Sequence, residues 1–104
     1  MPFDSTTFVE ESQVVKDLRA AKALIDTPEK WCKGAIKRGD SYCALGAILY
    51  GVKHKNRERA ETALRGALDR KWGWLVAPFN NDPETTHTDV LDLFDRAIAA
   101  ETKP

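Results

Sequence analysis

Three kinds of residue in this chain together have the side chains needed for nucleophilic chemistry: a cysteine, a histidine, and an amide or carboxylate. Cys43 stands at the predicted start of an apolar helix, where the helix dipole favours a thiolate. His87 stands at the predicted start of the last helix, shortly after Asn81 and Asp82. Such a set has a nucleophile, a base and an orienting group. One hypothesis is therefore a cysteine-dependent hydrolase or transferase in which Cys43 attacks, His87 accepts the proton, and Asp82 or Asn81 orients the imidazole.

The same cysteine has a simpler interpretation as part of the core. Free cysteine is among the residue types most often buried. The segment Cys43–Ala47 is rich in small residues, which allow neighbouring helices to approach closely. The sequence favours this interpretation, in which Cys43 is a small and unreactive interior side chain.

Four side chains are of the type that binds transition metals. They are Cys32, Cys43, His54 and His87. Structural zinc sites usually take their ligands in close pairs, such as two cysteines or two histidines a few residues apart. No two of these four residues have that spacing, and no phosphate-binding or dinucleotide-binding motif is present. The sequence therefore predicts neither a metal site nor a cofactor.

A basic cluster connects two of the predicted helices. It consists of Lys53, Lys55, Arg57 and Arg59. Basic side chains on phosphates, combined with aromatic rings that stack on bases, are typical of single-strand nucleic-acid binding. Glu58 and Glu61 interrupt the cluster, so a solvated connection between helices is the simpler interpretation. Nucleic-acid binding is kept as an alternative hypothesis.

An aromatic and polar segment follows this cluster. Most rings of the chain are expected in the core, and Trp72 or Trp74 is the one most expected to be exposed; large exposed rings can anchor a protein interface. Asn80, Asp82 and Thr86 either contribute to a binding site or build the cap of the last helix. The sequence favours the cap.

The elements that must position these residues are helices, because apolar residues recur at helical spacing in four segments. The predicted helices cover about 8–26, 42–53, 56–70 and 87–100. The first begins at Thr7, in a capping box with Glu10, or at Ser12. The last begins after Thr86, with Asp89 at its third position. The second is apolar nearly all round and is expected at the centre of the domain.

A short hairpin is predicted between the first two long helices. It turns at Arg38-Gly39-Asp40, with Lys33–Ile36 on one side, and Asp40 or Ser41 caps the helix that follows. Gly46 within that helix costs about 1 kcal/mol relative to alanine, so we expect a neighbouring backbone or ring close to it. The predicted fold class is all-α: residues 1–104 form one compact bundle of about four helices around a buried central helix, with the hairpin as an addition.

Composition limits the function classes. The chain has 104 residues, and its sixteen basic and sixteen acidic residues cancel. Such a balance does not indicate global attraction to nucleic acid or to a membrane surface. The chain begins without a secretory pattern, contains no long apolar run and has two cysteines, so we expect a protein of the reducing cytoplasm.

The order of several short motifs resembles a family of small bacterial and phage-encoded domains of unknown function. The motifs are Trp31, Gly34-Ala35, Cys43–Ala47, Phe79–Asp82, Thr86–Leu91 and Phe94–Ile98. The resemblance extends over about Leu18–Ala99 and implies an intracellular helical domain, without an established activity, cofactor or catalytic residue. Such proteins tend to have Trp-Asn-Asp where this chain has Phe79 before Asn80-Asn81-Asp82.

The leading functional hypothesis is a non-enzymatic module that binds a protein partner in the cytoplasm. By analogy with phage-encoded relatives, the partner would be a host factor. The identity of the partner and the oligomeric state are left open.

Overall fold

The computed structural model describes residues 11–102, which form five α-helices, one two-stranded hairpin and three single-turn 3-10 helices. The α-helices are α1 (Gln13–Ala23), α2 (Ala44–Gly51), α3 (Arg57–Gly66), α4 (Val76–Asn81) and α5 (His87–Glu101). The strands are β1 (Lys37–Arg38) and β2 (Ser41–Tyr42), and the 3-10 turns are Pro28–Lys30, His54–Asn56 and Arg70–Trp72. The prediction of an all-α bundle with a small hairpin is confirmed.

Helix α1 begins at the later of the two predicted starts. The Ser12 hydroxyl accepts a hydrogen bond from the Val15 amide at 3.3 Å. The alternative start at Thr7 and Glu10 lies outside the described residues. The apolar stripe of α1 is fully buried at Leu18 and packs against α2, α3 and α5.

Helix α2 is shorter than predicted, because the chain from Ser41 to Tyr42 is a strand rather than the first turn of the helix. The prediction that Asp40 or Ser41 caps α2 is wrong. Cys43 is the cap, and its sulfur accepts a hydrogen bond from the Gly46 amide at 3.3 Å. The Ser41 hydroxyl instead donates to the Glu29 carbonyl at 2.6 Å. The cap moved because the hairpin takes up the residues on which it was predicted.

The hairpin lies directly on α2 at Gly46, which explains a glycine inside this helix. The strands pair antiparallel with Lys37 opposite Tyr42, so the predicted strand at Lys33–Ile36 begins four residues too early and ends one residue before β1. A Cβ atom on Gly46 would lie 1.9 Å from the Ile36 carbonyl oxygen, a distance that excludes any side chain. The expected close approach of a neighbouring backbone is therefore confirmed.

The region after α3 departs most from the prediction. Helix α3 ends at Gly66 rather than near Arg70, and a further turn at Arg70–Trp72 precedes a glycine with a φ of 61° at Gly73. Helix α4 was not predicted. It contains a proline at its third position, Pro78, which the first turn of a helix tolerates because the amide there needs no partner within the helix.

Helix α5 is the element that the sequence predicted most closely. The Thr86 hydroxyl accepts from the Asp89 amide, and the Asp89 carboxylate accepts from the Thr86 amide, so the predicted capping box is present. Phe94 and Leu93 are fully buried, in a core to which all five α-helices contribute. None of the helices in the described part of the chain is long and apolar enough to cross a membrane.

Candidate functional site

Asn80, one of the polar residues predicted to bind a ligand or cap the last helix, has no exposed surface. Its Oδ1 accepts hydrogen bonds from Trp31 Nε1 at 2.7 Å and from the Ala44 amide at 3.0 Å. Its Nδ2 donates to the Cys32 carbonyl at 3.1 Å and to Asn81 Oδ1 at 3.0 Å. An asparagine side chain has two acceptor and two donor positions, so all four are used. We name Asn80 and its four partners the asparagine junction.

The junction joins three segments that are distant in sequence: the loop after the Pro28–Lys30 turn, the start of α2 and the end of α4. Asn81 Oδ1 extends it by accepting from the Gly34 amide at 2.8 Å, and Lys33 Nζ donates to the Asp82 carbonyl at 2.7 Å. A group with every hydrogen-bonding position satisfied inside the protein has none left for a ligand. The predicted binding residue Asn80 thus lies in the interior, where it holds the loops together.

His87 begins α5 and contacts the same region from another side. Its ring centroid lies 6.0 Å from that of Trp31, and Nε2 is 2.6 Å from the Ile25 carbonyl oxygen. Because a carbonyl can only accept, Nε2 carries a proton and donates it. The imidazole therefore ties the residues after α1 to the start of α5.

The three residues of the cysteine-hydrolase hypothesis have separate partners. The Cys43 sulfur is bonded to the Gly46 amide, His87 to the Ile25 carbonyl, and Asp82 Oδ1 accepts from the Glu84 amide at 2.9 Å. Within residues 11–102 no hydrogen bond joins any two of the three. A nucleophile, its base and an orienting group act through hydrogen bonds to one another. The contacts give no support to the enzymatic hypothesis, which stays a prediction.

One surface cleft, here called the acidic cleft, contains two of the predicted binding residues, Trp72 and Asp82. Its volume is about 770 Å³, and the Trp72 and Phe79 rings form an edge-to-face pair at 5.6 Å along it. Its other charged lining residues are Asp69, Lys71, Glu84, Asp89, Asp92 and Arg96.

Much of that charge already has a partner within the domain. Arg96 lies 3.2 Å from Asp69 and 3.1 Å from Asp92, while Asp89 serves the capping box of α5. Lys71 Nζ lies over the Trp72 ring at 5.4 Å. Most charged side chains of the acidic cleft are therefore already paired with other groups of the domain.

A second cleft, here called the tryptophan cleft, brings together residues predicted from separate motifs. Trp74, Lys55 and Arg59 line it, beside Glu58 and Glu101, and its volume is about 600 Å³. It lies between α3, the end of α5 and the loop before α4. Trp74 is 61% exposed and its neighbour Leu75 is 60% exposed.

The basic cluster is divided between this cleft and the α3 start. Arg57 Nε donates to the Val52 carbonyl at 3.2 Å, and its guanidinium lies 3.2 Å from His54 Nδ1, so Arg57 stabilises the start of α3. Lys53 is exposed and outside the cleft lining. Only Lys55 and Arg59 of the four predicted cations face the same cleft as an aromatic ring.

Sequence reasoning did not identify the partners of Asn80, for which the signal was the pair Asn80-Asn81 directly after a run of apolar residues. The cleft shared by Trp74 and Arg59 agrees in part with the nucleic-acid hypothesis, which puts aromatic rings beside the basic cluster. The sequence did not show which ring and which cations would meet. Within residues 11–102 no group of three or more histidine, cysteine or acidic side chains is arranged to hold a metal ion.

Fold and site together define a small α-helical domain in which Asn80 and His87 hold its own loops and whose surface includes the acidic cleft and the tryptophan cleft. The chain belongs to a family of unknown function, DUF6197, whose model matches residues 10–100. The resemblance to a family of unknown function is thereby confirmed, while the bacterial and phage origin of its members stays a prediction. Comparison with curated proteins and with solved structures gave no match.

Proposed function

We propose that this domain is a non-enzymatic protein-binding module and that the tryptophan cleft is its binding surface. The observation that carries the proposal is the exposure of Trp74 and Leu75, which are the two most exposed large apolar side chains of the described residues, at 61% and 60%. Tryptophan is enriched among the residues that contribute most to protein interfaces. An exposed tryptophan beside a concave surface fits that role.

The segment that carries Trp74 is held in place by the backbone. The Gly73 amide donates to the Arg70 carbonyl at 2.9 Å, and the Leu75 amide donates to the Trp72 carbonyl at 3.1 Å. A side chain on an ordered segment loses less conformational entropy on binding than one on a free loop. The ring is therefore prepared for an interface before a partner arrives.

Charge indicates the chemistry of the partner. Neither Lys55 nor Arg59 forms an ion pair with another residue in the 11–102 range. The partner we propose is a protein segment with an apolar side chain for Trp74 and carboxylates beside it for Lys55 and Arg59. Complementary charge at the rim of an interface raises the association rate and selects the partner.

Nucleic acid is the second candidate, because Trp74 shares its cleft with two cations. Glu58 and Glu101 line the same cleft, so its two positive and two negative charges balance, and a phosphate backbone with one charge per nucleotide would gain no net attraction there. The mixed charge therefore favours a protein segment. By the resemblance to phage-encoded domains, we extend the proposal to a protein that acts in the bacterial cytoplasm on a host factor.

Selection from a random peptide display library tests the proposal. Peptides are selected on the wild-type domain alone, and their affinities are then measured for the wild type and for Trp74→Ala. We expect the recovered peptides to combine an aromatic or aliphatic residue with Asp or Glu, and to lose at least tenfold in affinity for Trp74→Ala. Tyr50→Ala is the matched control, because Tyr50 is 58% exposed and lies outside the cleft lining.

Two outcomes contradict the proposal. Peptides that bind Trp74→Ala as well as wild type show that the cleft is not the binding surface. Binding of a single-stranded oligonucleotide that weakens steeply with salt and depends on Lys55 and Arg59 supports nucleic acid instead.

A further inference from the structure

Two buried cysteines, Cys32 and Cys43, lie on paired backbone segments next to the asparagine junction. Trp31 and Tyr42 pair as neighbours in a parallel bridge, and the Cys32 amide donates to the Tyr42 carbonyl at 3.1 Å. Cys32 and Cys43 each follow one member of that pair. Because side chains alternate along paired strands in the same order, the two cysteines point to the same side, opposite Trp31 and Tyr42. Paired strands lie about 4.8 Å apart, which is within the Cα separation of about 4.4 to 6.8 Å that disulfides span.

The electrostatics of Cys32 agree with this placement. Burial raises the pKa of the Cys32 thiol, and a negative charge on Cys43 raises it further. Such an effect operates between groups that are close in space. The thiol of Cys32 lies 3.6 Å from the Ala35 carbonyl, to which it donates, and both cysteines are free.

We propose that Cys32 and Cys43 form a redox site, a dithiol that a hydroperoxide closes to an intrachain disulfide. Neither sulfur is used by the tryptophan cleft, so the site is independent of the proposed binding function. The chemical class of its reactant is a small hydroperoxide, because the two residues are only 8% and 5% exposed and a bulky oxidant would not reach them.

The reaction proceeds in two balanced steps. The Cys43 sulfur, which accepts a hydrogen bond from the Gly46 amide, attacks one oxygen of hydrogen peroxide. The O–O bond breaks, a sulfenic acid forms on Cys43, and the other oxygen leaves as water with the thiol proton. Cys32 then attacks the sulfenic sulfur, and its proton leaves with the hydroxyl group as a second water. Two thiols are oxidised to one disulfide, and one peroxide is reduced to two waters.

The fold keeps the two cysteines together before oxidation. Asn80 accepts from the amide after Cys43 and donates to the Cys32 carbonyl, so it bridges the two backbone segments that the disulfide would link. The disulfide encloses the hairpin within the loop from Cys32 to Cys43. A crosslink of this size restricts the unfolded chain, so we expect the Tm of the oxidised protein to rise by about 10 °C.

The experiment is a titration of the native protein with hydrogen peroxide, quenched by alkylation and read by intact mass and peptide mapping. We expect both thiols to disappear together, the mass to fall by about 2 Da, one peptide link between Cys32 and Cys43, and full reversal by dithiothreitol. Cys32→Ser and Cys43→Ser are the matched variants, and each should show a gain of about 16 Da or more instead. Serine caps helices well, so Cys43→Ser is expected to fold.

A second arm separates proximity in the fold from chance closure of a short loop. The disulfide is equilibrated with reduced and oxidised glutathione, and its effective concentration should be at least tenfold higher in the native protein than in urea. Thiols that survive peroxide in the native state, independent overoxidation of each cysteine, or equal effective concentrations with and without urea would each overturn the proposal. None of these results would bear on peptide binding at Trp74.

Discussion

The asparagine junction and the tryptophan cleft are opposites in composition and in exposure. The junction is built around an amide with no exposed surface and with all four hydrogen-bonding positions used. The cleft is built around Trp74, an indole ring that is 61% exposed, beside two cations with no carboxylate partner in the described part of the chain. The polar residues that suggested a site in the sequence thus stabilise the fold. The surface that another molecule could reach, the tryptophan cleft, is not marked by a sequence motif.

Physical reasons lie behind this division. Three long-range hydrogen bonds to one buried side chain must all form together, because each unmet group in the interior costs about 1 to 3 kcal/mol. The exposed Trp74 ring, in contrast, does not need hydrogen-bond partners within its own domain. The comparison therefore predicts large stability effects at the junction and large binding effects at the cleft.

The largest stability effect is expected from Asn80→Ala. The substitution leaves the Trp31 indole N–H, the Ala44 amide and the Cys32 carbonyl without their partner, so the free energy of unfolding should fall by about 3 to 5 kcal/mol. Urea denaturation followed by circular dichroism measures it. The matched control is Asn56→Ala, because the Asn56 side chain makes no capping hydrogen bond at the start of α3, and the change should cost less than about 0.5 kcal/mol. A loss below 1 kcal/mol for Asn80→Ala would show that the junction does not hold the loops.

The next largest effect on stability is expected where the hairpin packs on α2 at Gly46. In Gly46→Ala the new methyl group would meet the Ile36 carbonyl at 1.9 Å, so the hairpin must move, and we expect a loss of about 2 to 3 kcal/mol. Gly66→Ala is the control, because nothing lies within 4 Å of a Cβ atom there and α3 gains a better helix former. Thermal unfolding should show the two alanines acting in opposite directions. Equal Tm values would contradict the close contact.

Much of the fold could be predicted from the sequence wherever a local rule decides it. The Thr86 and Asp89 capping box and the apolar stripe of α5 lie within a few residues of each other, so spacing alone identified them. The cap of α2 could not be found in this way, because a thiol is a weak acceptor and the rules favour Ser, Thr, Asp or Asn. Helix α4 was missed for a similar reason: it is one and a half turns long and contains Pro78.

The candidate site was less predictable than the fold. Trp31 and Asn80 are separated by 49 residues, and the hydrogen bond between them depends on where the hairpin and α4 pack. The sequence brought Cys43, His87 and Asp82 together as one set, whereas the structure gives each a separate partner. It also grouped Trp72 with Trp74, although they line different clefts. Tertiary packing decides which of these residues meet, and the periodicity of apolar residues in the sequence does not predict that packing.

A conservative change within the junction gives an intermediate effect. Trp31→Phe keeps an aromatic ring near His87 but removes the N–H that donates to Asn80 at 2.7 Å. Asn80 keeps the Ala44 amide as a donor, so we expect a loss of about 2 kcal/mol, which is less than for Asn80→Ala. Chemical denaturation measures it, and the double variant should cost less than the sum of the two singles, because both remove the same bond. Full additivity would mean that the two side chains act separately.

The smallest stability effect should come from the most drastic truncation. Trp74→Ala removes a whole indole, yet the ring is 61% exposed and its N–H has no hydrogen-bond partner among residues 11–102. We therefore expect the free energy of unfolding to change by less than about 0.5 kcal/mol, against about 2 kcal/mol for the gentler Trp31→Phe. The two variants should be denatured side by side under identical conditions. If Trp74→Ala were the more destabilising of the two, Trp74 would be part of the core of this domain, and the tryptophan cleft would have to be reassigned from recognition to folding.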